Sequence, residues 1–168
     1  KIFENTNVDD LLSTTKRKPI IPYEWEIEEL CVGVRPETIN KYKKIYSENL
    51  LYNEEYKIAG TADLIYDHGD FFTIGDFKTN KKFNFSSDFN DHFKDPISHL
   101  PYCEFNNYAL QMSMYAYMYE KISGKKCKKI VVFYLKEDKW QPVHCNYLKS
   151  DVQNILTHYT NNKLEVFS

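Results

Sequence analysis

Two short acidic stretches contain the side chains that are most suited to chemistry. In the run FFTIGDFKT, Asp76 and Lys78 are two positions apart, so on a β-strand both would project from one face while Phe77 points to the other. The earlier run GTADLIY contains a single acid, Asp63, and a hairpin over residues 67–70 would bring it across from Asp76. Two carboxylates and an ammonium would then converge on one strand face. A divalent cation is the obvious compensation for acids placed in this way.

The same residues also have a simpler interpretation, an exposed ion pair on the surface of a strand. The surrounding sequence favours the chemical interpretation. Both stretches are otherwise rich in Ile, Leu, Phe and Tyr, which indicates central rather than edge strands. An aspartate is unfavourable in the interior of such a strand unless something balances its charge.

The elements that would position these residues can be predicted from hydrophobic spacing. The first 35 residues give no regular pattern. From Pro36, which suits the first position of a helix, the spacing predicts a helix over residues 36–50 with four apolar or aromatic residues on one face, Ile39, Tyr42, Tyr46 and Leu50. Three strand-like runs follow, and they predict an antiparallel meander over residues 56–58, 61–67 and 71–78.

The second half of the sequence contains its clearest helix, in the run NNYALQMSMYAYMYEKIS, which ends at Gly124. The run KKIVVFYL predicts a buried strand, and KWQPVHCNYL a second strand that Pro142 interrupts. Ser150 suits the N-cap of a last helix. The order of helix, three strands, helix, two strands and helix predicts an α/β domain in which helices pack on a mixed central sheet.

In their order and spacing, the motifs resemble those of a known superfamily. The string Gly-Thr-Ala-Asp63, the string Asp76-Phe-Lys78-Thr, and a downstream helix with Gln111 and Tyr115 are similar to the PD-(D/E)XK nucleases, in particular to their RecB-like and phage exonuclease branch. Gln111 and Tyr115 are one helical turn apart, so they share a face. The resemblance implies that this pair positions groups beside the metal site and the DNA.

The resemblance covers residues 36–136 and implies a restriction-endonuclease-like core of the order αβββαβ. We expect one domain over residues 1–168, with residues 1–35 as an N-terminal extension and residues 137–168 as an added strand and helix. One departure from the pattern is Ala62, which stands where the superfamily motif has its nominal proline. That position has no chemical role.

A second departure concerns the metal ligand that many members have on the helix before the sheet. No histidine precedes His68, so Glu37 and Glu48 are the candidates, and we assign the role to Glu37. Both glutamates can also be interpreted as acids on the surface of a helix, because a negative charge at the helix start is favourable for Glu37 in any case.

The resemblance implies a DNA nuclease that hydrolyses phosphodiester bonds, with one or two Mg²⁺ or Mn²⁺ ions as cofactors. Asp63, Asp76 and the backbone carbonyl of Phe77 would bind the metal, since these ions prefer oxygen ligands. A bound cation lowers the pKa of its water and offsets the charge that builds on the phosphate. Lys78 would orient the attacking water and stabilise the developing negative charge.

The segment that follows Lys78 combines lysines with phenylalanines. Lysines can contact phosphates while aromatic rings stack on bases, which is how single strands are held without sequence readout. The candidate nucleic-acid contacts are Lys81, Lys82, Phe83, Phe85 and, on the following helix, Tyr108. In the alternative interpretation the phenylalanines cover the core beneath a loop.

Composition sets few limits on function. The formal charge of -2 gives no basic surface as a whole, so nucleic-acid contacts would have to be local. The four cysteines form no C-x-x-C pair, so we expect free thiols in a reducing compartment and no zinc knuckle. No apolar stretch approaches the roughly 18 residues of a membrane helix, and the start has no signal-peptide layout. We therefore expect a soluble intracellular protein, in the cytoplasm of a bacterium or of a phage-infected cell.

The leading hypothesis is an exonuclease or flap-processing enzyme that acts on single-stranded DNA or free DNA ends in recombination, repair or phage replication. A helicase, polymerase or recombinase would be its partner in the same chain or complex, and we expect no membrane partner. Because the chain begins with Lys and not Met, we expect a trimmed chain or a domain of a longer protein. The alternatives are a structure- or site-directed endonuclease, a catalytically silent DNA-binding module on the same fold, and an accidental match of the motifs.

Overall fold

A mixed five-stranded sheet is the frame of the computed structural model, which describes residues 44–79, 83–87 and 89–167. The strands are β1 (Lys44–Asn53), β2 (Ile58–Asp67), β3 (Phe71–Lys78), β4 (Lys126–Lys136) and β5 (Lys139–Cys145). They lie in the order β1-β2-β3-β4-β5, and every neighbouring pair is antiparallel except β3 and β4, which are parallel. Two helices complete the described part, α1 (Glu104–Ser123) and α2 (Lys149–Phe167). The expectation of an α/β fold on a mixed sheet is confirmed.

The hairpin between β2 and β3 sets the register of the strands that carry the acids. Gly69 has a φ of 102°, which favours glycine, and its N–H donates a hydrogen bond to Asp67 Oδ1 at 2.8 Å. The strands pair from Asp67 with Phe72 to Leu64 with Gly75. This register makes Asp63 and Asp76 the next two residues to face each other.

Helix α1 is the crossover that a parallel pair such as β3 and β4 requires. It packs on one face of the sheet through residues such as Met112 and Ala116, both fully buried. The helix ends where the sequence predicts, because Gly124 has a φ of 72° and its N–H bonds to the Glu120 carbonyl at 2.9 Å. Helix α2 packs against α1, and Val152 and Leu156 are buried there.

The predicted helix over residues 36–50 is wrong from residue 44 onwards, where β1 is found instead. Residues 36–43 lie outside the described part of the chain. The error has a simple cause. Tyr46 and Leu50 are four positions apart, which fits the period of a helix, but in β1 Tyr46 is buried in the core whereas Leu50 is half exposed, and the left-handed Glu48 between them interrupts the alternation of the strand. The strand-like run at residues 56–58 is mostly a turn, which joins β1 to β2 over residues 54–57.

Both faces of the central strands are buried, which agrees with the expectation of central rather than edge strands. Ile65 and Ile74 belong to the core on the α1 side, whereas Leu64, Tyr66 and Phe133 form a second cluster. Pro142 lies in the edge strand β5, opposite Phe133, which is a position that tolerates a missing N–H. In the described residues, neither helix combines the length and the apolar character that crossing a bilayer requires.

Candidate active site

The two acids lie at a fork in the sheet. The ladder between β2 and β3 ends at Leu64 and Gly75, although β2 stays paired with β1, and β3 stays paired with β4 as far as Lys78. Asp63 and Asp76 follow directly after the last pair. Instead of a bond between strands, the Phe77 N–H donates a hydrogen bond to Asp63 Oδ2 at 3.2 Å. The hairpin predicted to bring Asp63 across from Asp76 is therefore confirmed.

Strand β2 changes its facing direction near Asp63. A Cβ on Gly60 would point at Tyr115 of α1, and the Asp67 carboxylate accepts a hydrogen bond from Tyr119 of the same helix at 3.0 Å. These two positions are an odd number apart (67 minus 60), so strict alternation cannot turn both towards α1. Glu48, which lies opposite Asp63 in register, has a φ of 46° in the left-handed region. The irregularity coincides with the residue that leaves the regular pleat to contact β3.

Asp76 and Lys78 project from one face of β3, as the alternation predicts. Lys78 Nζ lies 2.8 Å from Asp76 Oδ2, while the Phe77 ring stacks on Phe133 in the second core cluster, with 5.2 Å between centroids. Asp76 is only 7% exposed. Despite the close ammonium, its Oδ2 receives no well-directed hydrogen bond from the described residues, so the contact is an ion pair of poor hydrogen-bond geometry.

In the described residues, one ammonium, that of Lys78, faces the two carboxylates of Asp63 and Asp76. Burial raises the pKa of Asp63 to about 8, helped by a hydrogen bond with Asp76 and by repulsion from its charge, whereas the Phe77 N–H and Lys78 act in the opposite direction. Burial also disfavours the Lys78 ammonium, but contact with Asp76 and the further influence of Tyr108 and Asp63 leave the pKa of Lys78 above its ordinary value. Lys78 therefore stays protonated at neutral pH, and one proton remains with the acids when no other cation is present.

Gln111 and Tyr115 lie on α1 beside the fork. Gln111 Nε2 donates a hydrogen bond to the Tyr115 hydroxyl at 3.0 Å. Burial raises the pKa of Tyr115, the hydrogen bond from Gln111 lowers it, and the charges of Asp76 and Asp63 raise it further. The hydroxyl is thus close enough to sense both acids. The structure brings Asp63, Asp76, Lys78, Gln111 and Tyr115 together.

Gly60 lets the Tyr115 ring approach β2. A Cβ at position 60 would lie 2.5 Å from Tyr115 Cε1, closer than two carbon atoms can approach. Gly75, next to Asp76, is confined in a similar way, because a Cβ there would lie 2.9 Å from both Leu64 and Phe133. The packing roles of these two glycines were not predicted from the sequence. A glycine in the interior of a strand is nevertheless a signal of a close approach, and could have identified both.

Aromatic rings continue the site beyond Lys78. Its Nζ lies 4.5 Å from the centroid of the Tyr108 ring, which is a cation–π contact. The Phe83 ring lies 5.6 Å from that of Tyr108 and packs against the core, whereas Phe85 is 59% exposed. The alternative interpretation, in which the phenylalanines cover the core, is thus correct for Phe83 and incomplete for Phe85.

The remaining candidates are Glu37, Glu48, Lys81 and Lys82. Glu37, Lys81 and Lys82 lie outside the described residues, and Glu48 is exposed. In the part of the chain that the structure describes, no three His, Cys, Asp or Glu side chains converge as a metal site would require. A cavity of about 750 Å³ lies elsewhere, between residues 91–102 and α2, and neither acid lines it.

The donor set fits a hard divalent cation. It offers two adjacent carboxylates that share the ammonium of Lys78, and Asp76 has a buried oxygen without a well-directed hydrogen bond. With two acids and no third side chain among the described residues, a cation would complete its coordination with backbone, water or substrate oxygens. Mg²⁺ is commonly held in this way, by one or two carboxylates together with substrate phosphates.

Comparison with known proteins finds distant likenesses among solved structures. No protein-family model matches the chain, and no curated protein does. Twelve chains of solved structures match, among them the crystal structure of a protein from Eubacterium rectale that is provisionally named an exonuclease. The two share 14% sequence identity with a TM-score of 0.46, over 71% of this chain and 44% of the other. The chain thus spans less than half of that protein.

Proposed function

We propose that the protein is a metal-dependent nuclease that hydrolyses phosphodiester bonds in DNA, using Mg²⁺ or Mn²⁺. The observation that carries the proposal is the fork between β2 and β3, where Asp63, Asp76 and Lys78 converge and, among the described residues, two carboxylates share a single ammonium. If Asp76 and Lys78 were only an exposed structural ion pair, the partly buried carboxylate of Asp63 would not be needed beside them. Acids removed from water in this way are costly unless a cation joins them.

Each group has a separate task in the proposed reaction. Asp63 and Asp76 supply oxygen ligands, and a cation held there supplies Lewis acidity towards water and the phosphate. The N–H and C=O of one residue in an extended strand point to the same side, so the Phe77 carbonyl is directed into the same fork as its N–H. Lys78, which stays protonated, orients the attacking water and stabilises negative charge on the phosphate.

Gln111 and Tyr115 are positioning residues in this proposal. Their mutual hydrogen bond fixes the Tyr115 hydroxyl beside the acids, and neither side chain adds a carboxylate for the metal. Their loss should therefore reduce the rate less than the loss of Asp63 or Asp76. We propose action on free DNA ends rather than at internal sites.

The test is cleavage of labelled single-stranded and duplex DNA with Mg²⁺, Mn²⁺ or EDTA. Asp76→Asn should lower the rate by orders of magnitude with folding retained, whereas Asp70→Asn, an exposed acid in the turn of the same hairpin, should cleave like the wild type. A linear and a circular form of one substrate distinguish action at ends from internal cleavage. If no substrate is cleaved in a metal-dependent way, the proposed activity is wrong.

Metal binding can be measured without cleavage. At a metal concentration of about 100 times Kd, binding adds roughly 2.7 kcal/mol to stability. For a chain of this size that is a rise in Tm of roughly 5 to 10 °C. Asp76→Asn should lose the rise and Asp70→Asn should keep it. A rise that persists in Asp76→Asn would assign the metal to another site.

A further inference from the structure

An aromatic ledge adjoins Lys78. We use this name for the connected rings of Phe83, Phe85, Phe105 and Tyr108. Phe83 lies 4.8 Å from Phe85 and 5.6 Å from Tyr108, and Phe85 lies 5.4 Å from Phe105, all between centroids. The Tyr108 ring is the one beneath the Lys78 ammonium. The ledge is therefore continuous with the proposed active site.

Two hydrogen bonds of the Asn84 backbone hold the exposed end of the ledge in place. The Phe105 N–H donates to the Asn84 carbonyl at 3.0 Å, and the Asn84 N–H donates to Glu104 Oε2 at 3.2 Å. These bonds fasten the residue before Phe85 to the first turn of α1. Phe85 nevertheless leaves 59% of its surface in contact with solvent. A ring that served only to cover the core would be expected to bury more of its face.

A cleft of about 270 Å³ with both polar and apolar lining lies next to the ledge. Its lining includes Asn84 and Glu104, which flank Phe85 and Phe105 in the chain, together with Ser87 and Asn107. Amide, hydroxyl and carboxylate groups of this kind can bond the donors and acceptors on the edge of a base. The exposed ring thus lies between a cation on one side and hydrogen-bonding groups on the other.

We propose that the aromatic ledge binds the unpaired bases of a single-stranded DNA segment whose backbone passes Lys78. Rings can stack on bases only where the base faces are accessible, and in a duplex the neighbouring base pairs cover them. The ammonium of Lys78 complements the phosphate charge that accompanies each stacked base. The proposal rests on the proposed nuclease function, and it names the substrate class as single strands or frayed ends rather than intact duplex.

Binding in EDTA tests the ledge independently of cleavage. Fluorescence anisotropy would measure the affinity of the full chain for a short labelled oligothymidylate and for a blunt duplex of equal length. Phe85→Leu keeps an apolar side chain but removes the flat ring, so it should weaken single-strand binding roughly 5- to 150-fold and leave duplex binding unchanged. Phe85→Trp should retain single-strand binding.

Phe71→Leu is the matched control. Phe71 also has a lysine above its ring, with Lys128 Nζ 4.2 Å from the centroid, but it starts β3 and Lys78 ends that strand. Phe71→Leu should bind both substrates like the wild type. An unchanged single-strand affinity in Phe85→Leu overturns the proposal, as does an equal loss for single strand and duplex.

The two proposals fail in different ways. If Phe85→Leu binds single strands like the wild type while Asp76→Asn abolishes cleavage, the ledge is wrong and the nuclease function stands. If single-strand binding depends on Phe85 but no metal-dependent cleavage occurs, the ledge stands and the nuclease function is wrong.

Discussion

Replacing Gly60 with alanine should weaken both the fold and the site, although alanine is usually the better residue in a strand. Glycine there normally costs roughly 0.5 to 1 kcal/mol relative to alanine. At position 60, however, the new Cβ would lie 2.5 Å from Tyr115 Cε1. Two carbon atoms need about 3.5 Å, so the ring must move by roughly 1 Å. Overpacking of this kind costs about 1 to 3 kcal/mol, and a 1 Å displacement of a positioning group can slow the reaction by about a hundredfold.

A double-mutant cycle checks this reasoning. Urea unfolding would be measured for the wild type, Gly60→Ala, Tyr115→Ala and the double variant, with cleavage assayed in parallel. Without the Tyr115 ring the clash disappears, so Gly60→Ala should become neutral or stabilising in that background. The difference between the two backgrounds should be about 1 to 3 kcal/mol. If Gly60→Ala destabilises both backgrounds equally, the contact does not determine its effect and the reasoning is refuted.

Three further substitutions test the packing around the site. Burial, helped by the nearby lysines and opposed by the charge of Asp67, lowers the pKa of His68 to about 4, so the unfolded chain takes up its proton first and the contribution of His68 to stability should fall as the pH drops from 6.5 towards 4. Discounted for partial exposure, this contribution falls by about 1 kcal/mol from pH 7 to 5, so in urea unfolding the wild type should lose about that much stability relative to His68→Phe, which keeps the titration of Asp63; an identical pH dependence of the two proteins would contradict the assignment. Gly75→Ala should lower the free energy of unfolding by about 1 to 3 kcal/mol, because the Phe133 ring is 2.9 Å from the added Cβ, and an equal or higher Tm would contradict this. Ser113→Ala should cost about 1 to 3 kcal/mol, because it leaves the Leu148 N–H without the hydroxyl that accepts its bond at 3.0 Å, and hydrogen exchange at Leu148 should accelerate.

The arrangement of the acids could be predicted because it depends on local rules. Asp76 and Lys78 share a face through the two-residue period of a strand, and the turn at Gly69 fixes which residue faces Asp76. Both rules act within one hairpin. The same reasoning could not foresee that the ladder ends directly before Asp63, because the separation of β2 from β3 depends on what each strand pairs with on its other side.

The secondary structure could be predicted where a spacing pattern fitted only a helix or only a strand. The prediction was wrong where the pattern did not distinguish the two. Helix α1 runs for 20 residues, long enough for its period to be distinguished from that of a strand, and it ends at a glycine in the left-handed region. In β1 the spacing from Tyr46 to Leu50 imitates a helix, while the left-handed Glu48 and the buried polar residues Ser47 and Asn49 hide the alternation that would indicate a strand. Only pairing with β2, the next strand along the chain, decides between the two, and pairing is not a property of the segment itself.

Contacts between residues far apart in the chain determine the part of the site that could not be predicted from sequence patterns. Gly60 and Tyr115 are far apart in the chain, and their contact exists only because α1 lies against β2 at a distance that leaves no room for a Cβ. The Tyr115 ring occupies the space that the missing Cβ leaves, and the charges of Asp63 and Asp76 raise the pKa of its hydroxyl. The glycine thus stands at the start of the GTAD run for a reason of packing and not of backbone freedom. The gap at Gly60 and the acid Asp63 lie on the same strand, three residues apart, so the packing that admits the ring also brings its hydroxyl near the acid.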